Sequence, residues 1–257
     1  MTVARSLLFN FAFFGWTALM CVGLLWMLLL PRRRMVEVVK WYLRTVYFLE
    51  RTIVGIDYEV RGRENIPARG AYILAAKHQS AWETMKLHLL VEDPAIILKR
   101  ELLFVPIWGW YAWKAHMIAV DRSARGRAIA SLVAGARDVA AQGRPIAIFP
   151  QGTRTAPGAW RPYRVGTGVL YEELGLPIVP MAVNSGLYWP RRSFRKRPGT
   201  VVVEFLPPVP AGLPREEAMT DLVERLEAAT DRIVAAAGGP ATARPPDAPL
   251  VARKSNT

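Results

Sequence analysis

The chain has 257 residues, of which 52% are hydrophobic and 21% are charged, and this composition excludes an intrinsically disordered protein. The single cysteine, Cys21, excludes an intramolecular disulfide and therefore a disulfide-stapled secreted scaffold. Lys and Arg outnumber Asp and Glu by 34 to 21, a net charge of +13, which predicts an anionic partner such as a membrane surface or a nucleic acid.

The first element is an apolar run without a charged side chain, residues 6–31. As a helix it would extend roughly 39 Å, against about 30 Å for the hydrocarbon core of a bilayer. It is longer than the apolar part of a signal peptide and lacks a small-residue cleavage site, which disfavours a secretory signal. We therefore predict a membrane-embedded helical segment, which either spans the bilayer or enters and returns on one side.

A second, basic segment runs from Arg32 to Ile56. Its apolar residues recur at helical spacing on one face, namely Met35, Val39, Tyr42, Val46, Leu49 and Ile53. A basic helix of this kind lies along an anionic membrane surface, although the same face could pack on the protein core, and different faces could do both. We predict that residues 1–56 anchor the protein to a membrane.

The remaining positive charge includes the basic run 191–197, which is interpreted as a solvated loop, with lipid headgroups as the alternative contact. Another part of the charge lies directly beside the predicted membrane segment, where positive residues mark the cytoplasmic flank. We expect no nucleic-acid partner.

From residue 57 onward, short apolar runs alternate with helical stretches. Because most runs are continuously apolar, they indicate strands covered on both faces of a mostly parallel sheet. The predicted strands are 58–61, 71–76, 95–99, 117–120, 146–149, 178–183 and 200–205, and the predicted helices are 82–91, 124–141, 166–174 and 215–237. The sequence predicts an α/β domain, a mostly parallel central sheet flanked by helices, over residues 57–237, and a disordered tail rich in Pro, Ala and Gly over 238–257.

Two short blocks carry candidate chemistry, and each follows a predicted strand. In the first, His78 precedes Glu83 at the start of a helix, so the carboxylate can fold back onto the imidazole and stabilise the imidazolium that forms on proton uptake. Such a pair, without a serine or cysteine nucleophile or a metal, fits a base that activates a substrate hydroxyl. The alternative is a strand-end histidine next to an unrelated helix-start glutamate.

The second block is Phe-Pro-Gln-Gly-Thr-Arg, residues 149–154. Gly152 permits close backbone approach, Thr153 offers a hydroxyl, and the planar guanidinium of Arg154 suits a phosphate. An ordinary turn with a surface arginine is the alternative. Motifs for a serine hydrolase, a nucleotide-binding loop and a zinc site are missing from the sequence, and we expect neither a metal nor a cofactor.

Taken together, the blocks resemble the glycerolipid acyltransferase family, in particular its 1-acylglycerol-3-phosphate acyltransferases. The resemblance covers residues 58–210 and rests on KHQSAWET (77–84), KREL (99–102) with Pro106 and Gly109, IAVDR (118–122), FPQGTR (149–154) and IVPMAV (178–183). It implies that His78 is the general base, that Glu83 orients it, and that Arg154 binds the phosphate of the acceptor. Gln151, Gly152 and Thr153 join the substrate-binding block, and Lys99 and Arg164 are further phosphate-side candidates.

The chain departs from the family pattern at two positions. Glu83 stands where the family usually has aspartate, and Gln151 replaces the usual glutamate before Gly-Thr-Arg, which makes the acceptor less certain than the reaction.

The resemblance implies acyl transfer from acyl-CoA or acyl-carrier protein to the sn-2 hydroxyl of lysophosphatidic acid, with membrane lipid as a further partner. Its active site would face the cytoplasm at a bacterial inner membrane. Relatives also imply an N-terminal helical pair embedded in one leaflet, for which Gly15 and Gly23 are possible bending points. The alternatives are another lysolipid acceptor, such as a lyso-ornithine lipid, or a non-catalytic lipid-binding protein.

Overall fold

The computed structural model of the protein describes residues 2–121 and 126–252. Within them the strands are β1 (Ile56–Arg61), β2 (Ile73–Ala76), β3 (Ala95–Lys99), β4 (Ile118–Val120), β5 (Ile146–Ile148), β6 (Ile178–Val183) and β7 (Gly199–Phe205). The α-helices are α1 (Thr2–Gly23), α2 (Arg32–Leu49), α3 (Trp82–Leu90), α4 (Trp108–Lys114), α5 (Gly126–Ala141), α6 (Gly166–Leu174) and α7 (Arg215–Ala236).

These strands form one sheet in the order β1-β7-β6-β2-β5-β3-β4. The strands β6, β2, β5, β3 and β4 run parallel to one another, whereas β7 is antiparallel to β6 and parallel to β1. The prediction of an α/β fold with a mostly parallel sheet is therefore confirmed. The predicted positions 124 and 125 of α5, and Arg122 of the family pattern, lie outside the described residues.

Helices cover both faces of the sheet, as the continuously apolar strands require. In β2, Ile73 and Ala75 point into a core shared with α5, α6 and α7. Leu74 and Ala76, which alternate with them, point into a second core on the opposite face, where α3 and Phe9 of α1 pack. Because every second side chain faces one layer, both layers are anchored on the same short central strand.

The N-terminal apolar run is divided rather than continuous. Helix α1 ends at Gly23, a 3₁₀ segment follows at Leu25–Leu29, and Pro31 precedes α2. Trp16 Nε1 donates to Thr45 Oγ1 at 2.7 Å, and the hydroxyls of Thr17 and Tyr42 lie 2.7 Å apart. The chain thus reverses direction, and α1 and α2 form a pair joined by partly buried polar contacts.

The outer surface of this pair is apolar. Helix α1 has the length and apolarity of a membrane-crossing helix, yet little of it is buried inside the protein. Exposed large apolar side chains on the pair and its connection are Val3, Leu7, Leu8, Phe11, Phe14, Leu19, Val22, Trp26, Leu29, Trp41 and Phe48. Met35, Val36, Leu43 and Val46 of α2 are buried, so α2 packs on the protein with one face while Trp41 and Phe48 stay exposed on another.

Two regions differ from the sequence expectations. Helix α4 lies in a stretch for which no element was predicted. The segment 238–252, expected to be disordered, instead packs on the loop after the second candidate block. There, Ala243 N donates to Gly158 O at 3.0 Å and Tyr163 N donates to Leu250 O at 2.9 Å. The remaining tail, 253–257, lies outside the described residues.

Candidate active site

The candidate residues meet at one edge of the sheet. His78 follows β2, Lys99 ends β3, and residues 149–154 follow β5. Because β2, β5 and β3 are parallel neighbours, their carboxyl ends lie side by side, which brings together residues far apart in sequence.

The His78–Glu83 pair forms as predicted. His78 Nδ1 lies 2.7 Å from Glu83 Oε1, which also accepts the backbone N–H groups of Gln79 at 2.8 Å and Ser80 at 2.7 Å. Glu83 is fully buried in the first turn of α3, where the positive end of the helix dipole favours a carboxylate. Glutamate therefore reaches the imidazole from the first turn of a helix.

This arrangement selects one form of the imidazole. Since the Glu83 carboxylate accepts from its other neighbours, Nδ1 of His78 carries the hydrogen and donates to it, which leaves the lone pair on Nε2. The ring stacks on Phe149 with centroids 4.0 Å apart, which fixes its plane. His78 can thus accept a proton at Nε2 while Glu83 stabilises the resulting imidazolium.

A further residue holds the carboxylate, and the sequence reading missed it. Ser185 Oγ donates to Glu83 Oε2 at 2.6 Å, and both side chains are fully buried. Ser185 follows β6, the other parallel neighbour of β2, so the rule that strand ends meet at one edge could have found it.

Ser185→Ala is expected to lower kcat about ten-fold, because a buried carboxylate loses one hydrogen bond and orients the imidazole less well. KM should stay unchanged, because Ser185 does not line the cavity that His78 and Arg154 border. Steady-state kinetics check both values. The matched control is Thr230→Val, which removes a buried hydroxyl of α7 bonded to Leu226 O, and should leave kcat unchanged. A raised KM at normal kcat for Ser185→Ala would contradict the positioning role.

The second block is tied to the first by a backbone hydrogen bond, because Thr155 N, directly after the block, donates to His78 O at 2.7 Å. Within the second block, Gly152 N donates to Phe149 O at 2.8 Å and closes a turn. Gly152 has φ +69°, a left-handed conformation that glycine adopts without strain, and it turns the chain back toward the histidine. The two blocks therefore form one unit at the sheet edge.

Both blocks border a cavity of 1070 Å³ between the α/β domain and the N-terminal helix pair. Of the predicted residues, His78, Lys99, Gly152, Thr153, Arg154 and Arg164 line it. Lys99 and Arg164 are exposed and Arg154 is half-buried, so one end of the cavity is open and cationic. Apolar side chains of the helix pair, including Phe13, Met20, Leu24, Met27, Val36 and Leu43, line another part.

Gln151 is the predicted substrate-binding residue that the structure does not bring to this cavity. It is buried, and its Nε2 donates to the backbone oxygen of Arg161 at 3.3 Å. The amide thus supports the loop that carries Arg164 rather than the cavity wall. Glu83 also lies behind the wall and reaches the cavity through His78.

Arg191 is a second residue that the sequence reading missed. It belongs to the basic run 191–197, lines the cavity, and donates from Nη1 to the backbone oxygen of Arg154 at 3.0 Å. The density of basic residues in this run could have indicated an anion-binding role, but only the fold brings the loop to the second block.

The described residues, 2–121 and 126–252, contain no group of three or more His, Cys, Asp or Glu side chains arranged to hold a metal ion.

Comparison with known proteins agrees with the geometry. A family model described as Acyltransferase matches residues 57–184. The 1-acyl-sn-glycerol-3-phosphate acyltransferase of Pseudomonas aeruginosa is 37% identical over 197 residues, which cover 77% of this chain and 76% of that protein. The alpha form from Mus musculus is 30% identical over 209 residues, 78% of this chain and 71% of that protein. The crystal structure of a 1-acyl-sn-glycerophosphate acyltransferase from Thermotoga maritima matches with a TM-score of 0.74 at 21% identity, over 91% of this chain and 98% of that chain, and so shares the fold.

Proposed function

Since the chain belongs to the acyltransferase family, we propose that it transfers a fatty acyl group from a thioester donor to the sn-2 hydroxyl of lysophosphatidic acid, forming phosphatidic acid. The observation that carries this proposal is the His78–Glu83 pair on the wall of a cavity that is apolar toward the N-terminal helices and cationic at its open end. An acyl chain and a phosphate need those two environments on either side of the reacting groups.

The proposed reaction begins when Nε2 of His78 accepts the proton of the acceptor hydroxyl. The hydroxyl oxygen forms a bond to the thioester carbonyl carbon, and the Glu83 carboxylate stabilises the imidazolium. The carbon–sulfur bond then breaks and the sulfur leaves with the bonding electrons. Because a thiol has a pKa of about 8.5, the thiolate leaves without a strong general acid and takes the proton from His78 or from water.

No acyl-enzyme step is needed for this reaction. The serine hydroxyls nearest to His78 in the loop and behind it have structural partners, because Ser80 Oγ accepts Trp82 N at 3.1 Å and Ser185 Oγ donates to Glu83. His78 therefore acts on the substrate hydroxyl rather than on a protein nucleophile.

Phosphate recognition is assigned to the cationic end of the cavity. Arg154 and Arg164 offer planar guanidinium groups and Lys99 offers an ammonium, while the Arg191 contact to the Arg154 backbone holds that loop in place. Thr153 and the backbone at Gly152 complete the wall beside His78.

Arg154→Ala is expected to raise KM for lysophosphatidic acid ten- to hundred-fold, because the loss of a charge-assisted contact costs about 1.5–3 kcal/mol. KM for the acyl donor should change little. Kinetics with each substrate varied in turn check this result. The matched control, Arg69→Ala, removes an exposed arginine from the loop before β2, at the opposite sheet edge, and should leave both constants unchanged.

An acceptor panel separates this proposal from its alternatives. Purified protein with labelled acyl-CoA should acylate lysophosphatidic acid in preference to a lyso-ornithine lipid or a lysophospholipid with a larger headgroup. Equal loss of activity by Arg154→Ala on an acceptor without phosphate would contradict the role of Arg154. If no acceptor is acylated, the proposed transfer is excluded and the alternative of a non-catalytic lipid-binding protein is supported.

We further propose that residues 1–56 hold the domain of residues 57–237 on the membrane. The reversal between α1 and α2 and their apolar outer surface favour a pair embedded in one leaflet. Acyl-CoA and acyl-carrier protein are soluble and cytoplasmic, so the catalytic domain would face the cytoplasm, in bacteria at the inner membrane. Transfer rates with each donor identify which one the enzyme uses.

A further inference from the structure

The connection between β3 and β4 exposes a dense set of aromatic side chains on the catalytic domain itself. Phe104 is 74% exposed, Trp113 71% and Trp110 53%, and Leu102, Val105 and Trp108 add smaller exposed areas. We call these six residues the aromatic patch. Isolated apolar residues are common on protein surfaces, but a contiguous patch of large ones marks a surface that contacts another apolar phase.

The aromatic patch is held on an ordered support. Gly109 N donates to Val105 O at 2.8 Å, and a Cβ at Gly109 would lie 2.0 Å from Leu103 O, so the 3₁₀ segment Arg100–Phe104 and α4 touch backbone to backbone. Gly109 and Ala112 face inward and are buried. Trp110 and Trp113, three residues apart, consequently share the outward face of the helix.

The aromatic patch adjoins the N-terminal helix pair. Tyr111 OH donates to Cys21 O at 3.1 Å, which joins α4 to the end of α1. Ala115, just beyond α4, is buried in one cluster with Met27 and Met35, so the connection between α1 and α2 lies against the same support. Trp26 and Leu29 on that connection are 56% and 88% exposed, so the segment packed against this support adds exposed apolar side chains of its own.

Basic residues flank the apolar surface. Lys99 and Arg100 precede the aromatic patch and Lys114 follows Trp113. Exposed Arg33 and Arg34 lie in the first turn of α2, just after the connection that packs against α4. Tryptophan in the apolar–polar boundary with lysine and arginine around it is the composition of a surface at the level of lipid headgroups. An anionic bilayer therefore matches both the apolarity and the charge.

We propose that the aromatic patch inserts into the bilayer interface, as a second membrane contact made by the catalytic domain beside the N-terminal helix pair. Leu102 and Trp108 belong both to the aromatic patch and to the wall of the substrate cavity, so insertion holds the cavity against the membrane. A lysolipid then enters from the bilayer without crossing water. Entry of a lysolipid from the bilayer rests on the proposed function, whereas insertion of the aromatic patch does not.

Insertion is tested by fluorescence quenching on the full chain in phosphatidylethanolamine–phosphatidylglycerol vesicles. In a Cys21→Ser background, Phe104→Cys or Trp113→Cys carries an environment-sensitive fluorophore, and spin-labelled lipid is the quencher. Phe11→Cys on α1 serves as the positive control and Ala228→Cys, exposed on α7 across the sheet, as the negative control.

Quenching at positions 104, 113 and 11, but not at 228, is the expected result. Quenching at 11 without quenching at 104 and 113 would overturn the second contact while leaving the membrane anchor intact. Absence of quenching at 11 as well would overturn both the anchor and this proposal.

The functional consequence is tested with Trp110→Ser combined with Trp113→Ser, because neither side chain lines the cavity. Transfer to lysophosphatidic acid in vesicles should fall about ten-fold, since two exposed indoles no longer insert into the bilayer interface. Transfer to a short-chain, water-soluble lysophosphatidic acid should stay within about two-fold of the parent.

Equal loss with both acceptors would assign the two tryptophans to the fold and overturn the proposal. Loss confined to assays with acyl-carrier protein as donor would make the aromatic patch a protein-docking surface, and would overturn it as well. Inactivity of the parent protein on both acceptors would contradict the proposed function, while the quenching result would still decide insertion.

Discussion

His78→Ala is expected to lower kcat by about 10²–10⁴-fold, because it removes the group that accepts the proton of the acceptor hydroxyl. The fold should survive, since the His78 side chain lines the cavity and its removal enlarges an existing space. Glu83→Gln should cost less, because the amide can still hold the ring but cannot stabilise an imidazolium by charge. Single-turnover transfer of a labelled acyl group measures both variants.

The control for this experiment is His116→Asn. His116 is exposed, lies outside the cavity wall and has φ +55°, a conformation that asparagine tolerates. The activity of the His116→Asn variant should equal that of the parent protein. Near-normal turnover of His78→Ala would exclude the histidine as the general base.

Lys86→Met is expected to lower the free energy of unfolding by about 3–5 kcal/mol, because it leaves a buried carboxylate without its cation. Lys86 Nζ lies 2.8 Å from Glu50 Oε2, and both side chains are almost fully buried. Trp82 Nε1 donates to the same oxygen at 3.1 Å, and the ammonium lies 4.7 Å from the centroid of the Tyr47 ring. This contact joins the end of the N-terminal unit to α3, the helix that carries Glu83.

The pH dependence of this variant follows from the carboxyl group. Burial raises the pKa of Glu50 and Lys86 opposes that rise, so the pKa of Glu50 should rise further in Lys86→Met. An acid whose pKa is higher in the folded than in the unfolded state destabilises the fold as the pH increases. The stability loss should therefore shrink as the pH is lowered. Unfolding in detergent at several pH values measures it.

A double variant and a surface pair serve as controls for the Lys86 prediction. Lys86→Met with Glu50→Leu removes both charges and should restore most of the lost stability. Arg137→Met breaks an exposed 2.6 Å pair with Glu173 and should cost less than about 1 kcal/mol. If Lys86→Met lowered the free energy of unfolding by as little as Arg137→Met does, the buried Lys86–Glu50 pair would not be what holds α3 against the N-terminal residues.

The elements that the sequence predicted best are those with strong local patterns. The apolar runs that became β3 and β6 were predicted with the observed bounds, and so was α6. The bounds of β2 and α7 differ by one or two residues at one end, where strands and helices are least regular. Parallel strand ends also explain why His78 and the second block could be expected at one edge.

Residues that depend on non-local contacts were missed. Ser185 contacts Glu83 although the two residues lie 102 positions apart in the sequence, and no local pattern predicts such a contact. Helix α4 is short and its outer face is tryptophan-rich, so its apolar residues do not alternate as those of a helix with one polar face do. The segment 238–252 lacks periodicity because it packs as an extended strap on the loop around Tyr163.

The sheet order has a consequence for biosynthesis. Strand β1 follows the N-terminal helix pair after one π-helical segment, Glu50–Val54, yet among the described residues it pairs only with β7, which begins about 140 residues later. Pairing across such a separation is slow, because the intervening chain must be ordered before the contact is gained. During translation, α1 and α2 are complete long before the sheet can close. The order of synthesis therefore favours docking of the nascent helices on the bilayer first, with the catalytic domain folding afterwards at the membrane surface.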